Sequence, residues 1–498
     1  MAEQFPALII VVPLIAAFFI PVIGWWKKQL CYPWVVAVLV VTFISSLGII
    51  NTIMTTGKFS YRLGGWAPPW GIEYALDYLN AFVLVIVSFI SLMVAVYSKK
   101  SVEDELPEKT APFYTLFLLL VAGLLGIVVT GDVFNLFVFL EISSLSCYAL
   151  IAIGEEGAPI ASFNYVIMGT IGACFYLLGV GYLYIATGSL NMADLAVILP
   201  NMYHSKIILV AFAFFTVGVM VKGAVFPLHI WMPDAYSTAP SAVSALIAPL
   251  MTKVAAYVMI RIMFTIFQPR FSVETVPVMT VLGWLSFIAI FAGGIKALAQ
   301  TDLKKMLVYI LVAEVGYIVM GVSVANKIGL TGAILHILND AFMMACLFLV
   351  VGAISYRIGT RDIHKLHNLN KIMPFTMGAF TITALSMAGI PPACGFFSKW
   401  YLILGTIEAG QWAFAAALLC SSLINAVLFF RVIECAYFKP MEPAYANDGG
   451  ETHMVQRDEA PLTMLVPIVI MAAGIILLGI FSGNIISSII QFAVPASF

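Results

Sequence analysis

Apolar residues run in long blocks from one end of the chain to the other. They are too long for strands and too uniformly apolar for the half-buried helices of a soluble domain. About fourteen blocks are long enough to cross roughly 30 Å of hydrocarbon as helices. They lie near residues 5–23, 33–53, 78–97, 112–129, 132–153, 161–187, 206–230, 240–266, 275–299, 303–324, 328–356, 373–406, 411–438 and 462–482, and a short apolar tail follows. Fourteen crossings put alternate loops on one side. One set of loops holds Lys27, Lys28, Lys99, Lys100, Lys109, Lys304, Lys305, Arg357, Arg361, Lys365, Lys371, Arg431, Lys439 and Arg457. The other holds only Lys58, Arg62, Lys206, Arg270 and Lys327. By the excess of basic residues in cytoplasmic loops, the first set is expected in the cytoplasm and both termini outside, in the cell inner membrane. A missed span would scramble this bias, so the bias also supports the count.

Two blocks are interrupted. The seventh carries Phe226-Pro227 and then Trp231-Met232-Pro233-Asp234; the twelfth reads MAGIPPACGFFSKWYLI, with Pro391-Pro392 between Gly389 and Gly395. Both patterns predict broken helices at Pro227 and at Pro391 and Pro392. Interrupted segments at corresponding positions of two halves point to an inverted repeat with an ion path between its units. Spans four to eight and nine to thirteen are five each, and the break is fourth in both. An odd number of crossings per unit inverts the second unit. The expected fold is therefore an all-α polytopic membrane protein with two inverted five-helix repeats. Residues 1–110 would hold helices 1–3, 111–267 the first unit, 268–440 the second, and 441–498 a cytoplasmic loop and C-terminal helix.

Composition agrees: 62% of the 498 residues are hydrophobic and 10% charged, with a mean hydropathy of +1.05. The net charge of −1 and the lack of a basic-aromatic patch give no reason to expect nucleic acid. Seven scattered cysteines form no CxxC pair, so no zinc site, iron-sulfur site or disulfide framework is indicated. The start, MAEQFPALII, lacks a basic n-region and cleavage site, so residues 5–23 are expected as a retained span.

The informative residues are the ionisable ones inside spans: Glu141, Lys222, Lys253, Glu314 and Lys399. Each costs roughly 3 kcal/mol at mid-bilayer, so pairing is expected. Glu141 and Lys222 make the natural opposite-charge pair of the first unit. Lys253 and Lys399 have no obvious local partner. A desolvated lysine suits proton exchange, but a lysine near a helix break also suits the capping of freed carbonyls. Arg261 and Lys296, near predicted ends, read as snorkelled or structural. His229 and His336 are candidate proton carriers, and either also suits a helix-helix hydrogen bond. Asp340 follows His336 by four residues, which predicts a local hydrogen-bonded pair on one helix face. Two such residues without a third ligand do not predict a metal site.

With these residues in view, the chain resembles the antiporter-like subunits shared by respiratory complex I, membrane-bound hydrogenases and Mrp-type sodium/proton antiporters. The likeness covers roughly residues 75–440. TGDVFNLFVFLEISSLSCYAL resembles the fifth-helix motif of the Mrp D-type subunit and its hydrogenase-associated relatives, and VKGAVFPLHIWMPDAYSTAPSAVSA resembles the family's seventh-to-eighth helix signature. ALAQTDLKKMLVYILVAEVGY resembles the start of the tenth helix, and GIPPACGFFSKW the broken twelfth. The resemblance implies that Glu141 and Lys222 are the ion pair of the first half-channel, Lys253 the connecting lysine and Lys399 the terminal lysine of the second. There are departures: Glu314 stands where relatives often have His or Gln, Asp340 where many have a second His, and Met344 where some have Lys. Lys399 argues against the M-type subunit of complex I, which usually has Glu there. The early end after the fourteenth span argues against the L-type and large A-type subunits.

The expected function is proton translocation in a multisubunit Mrp-type sodium/proton antiporter. The relay would use Glu141, Lys222, Lys253, Glu314, His336, Asp340 and Lys399, with His229 as an accessory. The expected partners are the other subunits, protons, sodium and the lipid bilayer, without cofactor or metal. The alternatives are a proton-pumping subunit of a hydrogenase or complex I-like quinone dehydrogenase, whose redox chemistry would lie in neighbouring subunits, and a non-conducting membrane scaffold. No nucleophile-base constellation supports an intramembrane enzyme.

Overall fold

A computed structural model describes residues 4–154, 156–439 and 457–495. Hydrocarbon offers backbone groups no partners, so the apolar blocks close their hydrogen bonds internally as helices. These are α1 (Phe5–Trp26), α2 (Cys31–Thr56), α3 (Tyr78–Glu105), α4 (Thr110–Val129), α5 (Val133–Ala152), α6 (Ala158–Thr187), the short α7 (Met192–Ile198), α8 (Lys206–Lys222), α9 (Met232–Thr238) and α10 (Ser241–Ile260). They continue as α11 (Val278–Leu298), α12 (Leu303–Ser323), α13 (Lys327–Ile358), the short α14 (Leu369–Ile372), α15 (Pro374–Ala388), α16 (Cys394–Glu408), α17 (Trp412–Phe438) and α18 (Leu462–Ile480). Among the described residues, twelve helices are long and apolar enough to cross a membrane unbroken. The broken pairs α8/α9 and α15/α16 complete the fourteen crossings read from the pattern. Of the loop expected from residue 441, residues 441–456 lie outside the described residues, and α18 is the expected C-terminal helix.

Two structural repeats tie the five-helix units together. Asp132 caps α5 by accepting from Asn135 N at 2.7 Å, and Asp302 caps α12 by accepting from Lys305 N at 2.8 Å. Each cap also lies in a short antiparallel bridge. Val133 N donates to Leu190 O and Met192 N to Gly131 O in the first unit; Leu303 N donates to Arg361 O and Ile363 N to Thr301 O in the second. Helix starts five crossings apart lie on opposite faces of the bundle, so the same device recurs upside down.

The breaks repeat as well. Val225 N donates to Met220 O with Ala224 at φ 52°, and Ile390 N donates to Leu385 O with Gly389 at φ 82°, the same left-handed termination of a helix. Three residues beyond each left-handed position comes the proline of a cis X-Pro bond, Phe226-Pro227 and Pro391-Pro392.

Burial grades from rim to centre. The most apolar stretch of α1 is one-third buried (33%), whereas those of α10 and α13 are 94% and 100% buried. These two pack against each other at the seam between the units. Small residues allow close crossings, as expected where lipid supplies no hydrophobic drive for helix association. A Cβ on Gly218 of α8 would lie 2.8 Å from Gly172 O and Tyr176 N of α6, whereas one on Gly181 would meet nothing within 4 Å. Gly218→Val is therefore expected to lower the thermal inactivation midpoint of the purified protein by several degrees, with Gly181→Ala near neutral. Equal behaviour of the two would contradict this packing.

A hairpin that the apolar pattern did not show joins α2 to α3. Its strands are β1 (Phe59–Arg62) and β2 (Glu73–Leu76). It anchors to the first unit through Asn191 Nδ2, which donates to Glu73 Oε1 at 2.7 Å, and Gly131 N, which donates to Glu73 O.

Candidate functional site

Charged side chains are sparse in the bundle, and most of those at depth gather in small groups distributed over both units. Lys222 is the last residue of α8, where the helix ends before the unwound segment 223–231. Its Nζ donates to Ser144 Oγ at 2.8 Å, lies 3.4 Å from Glu141 Oε1 and 3.5 Å from Tyr148 OH, all on α5. Lys222 is buried, while Glu141 retains 29% side-chain exposure. One ammonium shared among a carboxylate and two hydroxyls has several acceptors at comparable range, so it can loosen its hold on Glu141 without losing all partners.

At the seam, Lys253 of α10 and Asp340 of α13 form an ion pair at 2.5 Å, with side-chain exposures of 1% and 0%. Lys253 also donates to Ala248 O at 3.4 Å on its own helix. This pair joins the first unit to the second. It gives Lys253 a partner distant in sequence, where no local one was evident, and it corrects one expectation: Asp340 pairs across to α10 instead of bonding His336 on its own helix. Four-residue spacing does place His336 and Asp340 near one face. However, helical side chains project towards neighbouring helices, and α10 presents a full charge to Asp340 while α12 presents one to His336.

Beyond the seam, His336 is fully buried between two partners. Its Nε2 lies 3.0 Å from Glu314 Oε2 on α12 and its Nδ1 lies 3.0 Å from Ser398 Oγ on α16. An imidazole with both nitrogens engaged can take a proton on one side and give one up on the other. Glu314 Oε1 also accepts from Asn425 Nδ2 of α17 at 3.2 Å.

Lys399 completes these groups. Its Nζ donates to Met387 O, in the last turn of α15, at 2.5 Å and stands 4.9 Å from the centre of the Tyr317 ring. Asn425 Nδ2 reaches the same Met387 carbonyl at 3.3 Å. Lys399 thus caps a carbonyl freed by the break and lies within electrostatic reach of Glu314 and Asp340.

Other candidates stand apart from these groups. Pro227, Pro391 and Pro392 lie in the unwound segments. His229, buried in the first of these, stacks on Phe226 at 5.3 Å, and its Nδ1 has no hydrogen-bond partner among the described residues. Arg261 pairs with Asp77 at 2.6 Å at the start of α3 and also donates to Tyr257 OH, an anchor near a helix end. Lys296 lies over the Tyr309 ring at 5.7 Å. Met344 is fully buried on α13. Among the described residues no group of three or more His, Cys, Asp or Glu side chains could hold a metal ion.

Reading the sequence by charge passes over Ser144, Tyr148, Tyr317, Ser398 and Asn425. The hydroxyls carry little signal, because serines in apolar helices commonly bond their own backbone, as Ser143 and Ser146 do beside Ser144. Asn425 is detectable: an amide in mid-span needs partners on a facing helix.

Residues 130–425 match the family described as NADH:quinone oxidoreductase/Mrp antiporter, transmembrane. Over 99% of both chains, the sequence is 45% identical to the N-type subunit of the NADH-quinone oxidoreductase of Desulforudis audaxviator (strain MP104C). It is 32% identical to the D-type subunit of the Na(+)/H(+) antiporter of Bacillus subtilis (strain 168), covering 80% of this chain and 81% of that one. A chain of the membrane-bound sulfane sulfur reductase, an archaeal respiratory membrane complex, superposes with a TM-score of 0.89 at 30% identity, covering 98% of this chain and 96% of that one.

Proposed function

The chain belongs to the family of antiporter-like membrane subunits shared by NADH:quinone oxidoreductases and Mrp antiporters, and from that premise we propose that it moves protons through the bilayer within a multisubunit complex. The observation that carries this reading is the succession of polar groups at depth in both repeats, Glu141–Lys222, Lys253–Asp340, Glu314–His336–Ser398 and Lys399, all of them buried except the half-buried Glu141. A structural role alone gives no reason to string costly charges across two units. Protons load Lys253 from the first unit, pass through Asp340, His336 and Glu314, and leave by Lys399. Opening of the Glu141–Lys222 pair biases each step electrostatically. One charge moved across 100 mV is worth about 2.3 kcal/mol, comparable to a lysine pKa change of under two units, so modest changes in pairing suffice.

For the assembly, the motifs and the Bacillus subtilis antiporter relative support an Mrp-type exchanger in which sodium is the counter-ion. A second reading, a redox-driven proton pump, has the support of the higher identity to the oxidoreductase relative over the full length and of the sulfane sulfur reductase likeness. Purifying the native complex separates them: co-purifying iron-sulfur or flavin subunits support the pump, and their absence together with sodium-dependent proton flux supports the exchanger. In either complex, Glu141→Ala is expected to cut proton flux in everted vesicles severely while the complex still assembles. Near-normal flux in Glu141→Ala, Lys222→Ala and Lys399→Ala alike would leave the scaffold reading standing. The proposed location is the cytoplasmic membrane, with both termini on the outer side.

A further inference from the structure

The loop set poor in basic residues holds only five of them, yet two, Lys58 and Lys327, line one cavity together with Arg261. The cavity has a volume of about 810 Å³. Lys58 follows the end of α2, Asp77 caps the start of α3, Arg261 follows the end of α10 and Lys327 begins α13. Helix ends set its depth at the membrane boundary. The tail residues Gln491–Pro495 form another wall, where Phe492 meets Tyr78 with ring centres 5.0 Å apart.

The charges do not balance. Among the described lining residues Asp77 is the one carboxylate, and Arg261 already holds it at 2.6 Å. Among the described residues neither Lys58 nor Lys327 has an ion-pair partner; both are exposed. Like charges gathered in a concave site repel unless an anion joins them, and Lys58 is placed there by a loop and Lys327 by a helix start far away in sequence. An aromatic and apolar wall beside a cationic floor at headgroup depth suits an amphiphile with an acidic head.

We propose that this cavity binds the phosphate of an anionic phospholipid headgroup. Lys58 and Lys327 make the charge contacts, the Arg261–Asp77 pair forms the floor, and Phe492 and Tyr78 flank the glycerol and upper acyl region. The site is separate from the relay and does not depend on it.

Native mass spectrometry of the full-length chain, titrated in detergent with phosphatidylglycerol, phosphatidylcholine or inorganic phosphate, tests the assignment. Phosphatidylglycerol is expected to bind in preference to phosphatidylcholine. The double variant Lys58→Ala/Lys327→Ala is expected to bind it about thirty-fold more weakly, the loss that two basic residues contribute at an anionic membrane surface. Both lysines are exposed, so the variant should fold; an unchanged thermal inactivation midpoint without lipid checks this. Phosphate alone competing with the lipid in the wild type but not in the variant supports the phosphate contact and assigns affinity to the head. Equal affinity of variant and wild type for phosphatidylglycerol, or no preference over phosphatidylcholine, overturns the proposal.

Discussion

Lys399→Ala is expected to reduce proton flux about 100-fold or more, the scale on which loss of a positioned proton-transfer group acts. The variant removes the cation that caps Met387 O and stands over Tyr317, and in the proposed relay it leaves Glu314 and His336 without a terminal acceptor. Because Lys399 also caps the broken helix, alanine alone does not separate transport from architecture. Lys399→Arg does. A guanidinium keeps the charge and can donate to a carbonyl, but it stays protonated throughout the working range and does not release a proton. The expected outcome is an assembled complex, normal in yield and thermal inactivation, that does not translocate protons. Normal flux with arginine would show that Lys399 is a capping cation only.

Removing one member of the Lys253–Asp340 pair is expected to have the largest effect on stability. Both side chains are out of contact with solvent, at 1% and 0% exposure, and their contact is 2.5 Å. Asp340→Leu strands an ammonium in the seam, at a cost of about 3–5 kcal/mol for a broken buried pair. Replacing both, as in Lys253→Met/Asp340→Leu, removes the stranded charge and is expected to recover most of that loss, since apolar pairs of similar volume often match or exceed a buried ion pair. The read-outs are thermal inactivation in detergent and proton flux in vesicles. Stability should return in the double variant while flux does not. If flux returns too, the pair is a structural clamp between the units and the relay must pass elsewhere; if stability does not return, the seam needs the charge itself.

The two experiments bear on different properties of the proposed relay. At Lys399 the question is whether a proton can leave, and at the seam it is whether two units can share a charge. Both rest on the sparse polar groups of an apolar bundle, where each unpaired charge costs more than it would in water.

What could be read from the chain alone differs by residue. Fourteen crossings, two breaks and an inverted pair of five-helix units follow from apolar length, proline placement and odd-number topology, because hydrocarbon permits one backbone solution for such blocks. The Glu141–Lys222 contact is anticipated by cost, since two opposite charges within spans of one unit have few alternatives. The hairpin Phe59–Arg62/Glu73–Leu76 escaped because its four-residue strands carry no periodicity long enough to read.

The partner of Asp340 was not decided by local sequence. Spacing offered His336 four residues away; helix packing supplied Lys253 from α10, eighty-seven positions earlier in the chain, and gave His336 to Glu314 and Ser398 instead. The cavity at Lys58 and Lys327 has the same origin, since no local pattern links a loop after α2 to the start of α13. The sequence by itself determined that this protein spans the membrane many times, breaks two helices and keeps charges at depth, because the bilayer penalises each of these choices in a way a single residue pattern reveals. Only the tertiary structure decided which charge meets which, because in a bundle the partner of a side chain is set by the crossing of helices distant in sequence.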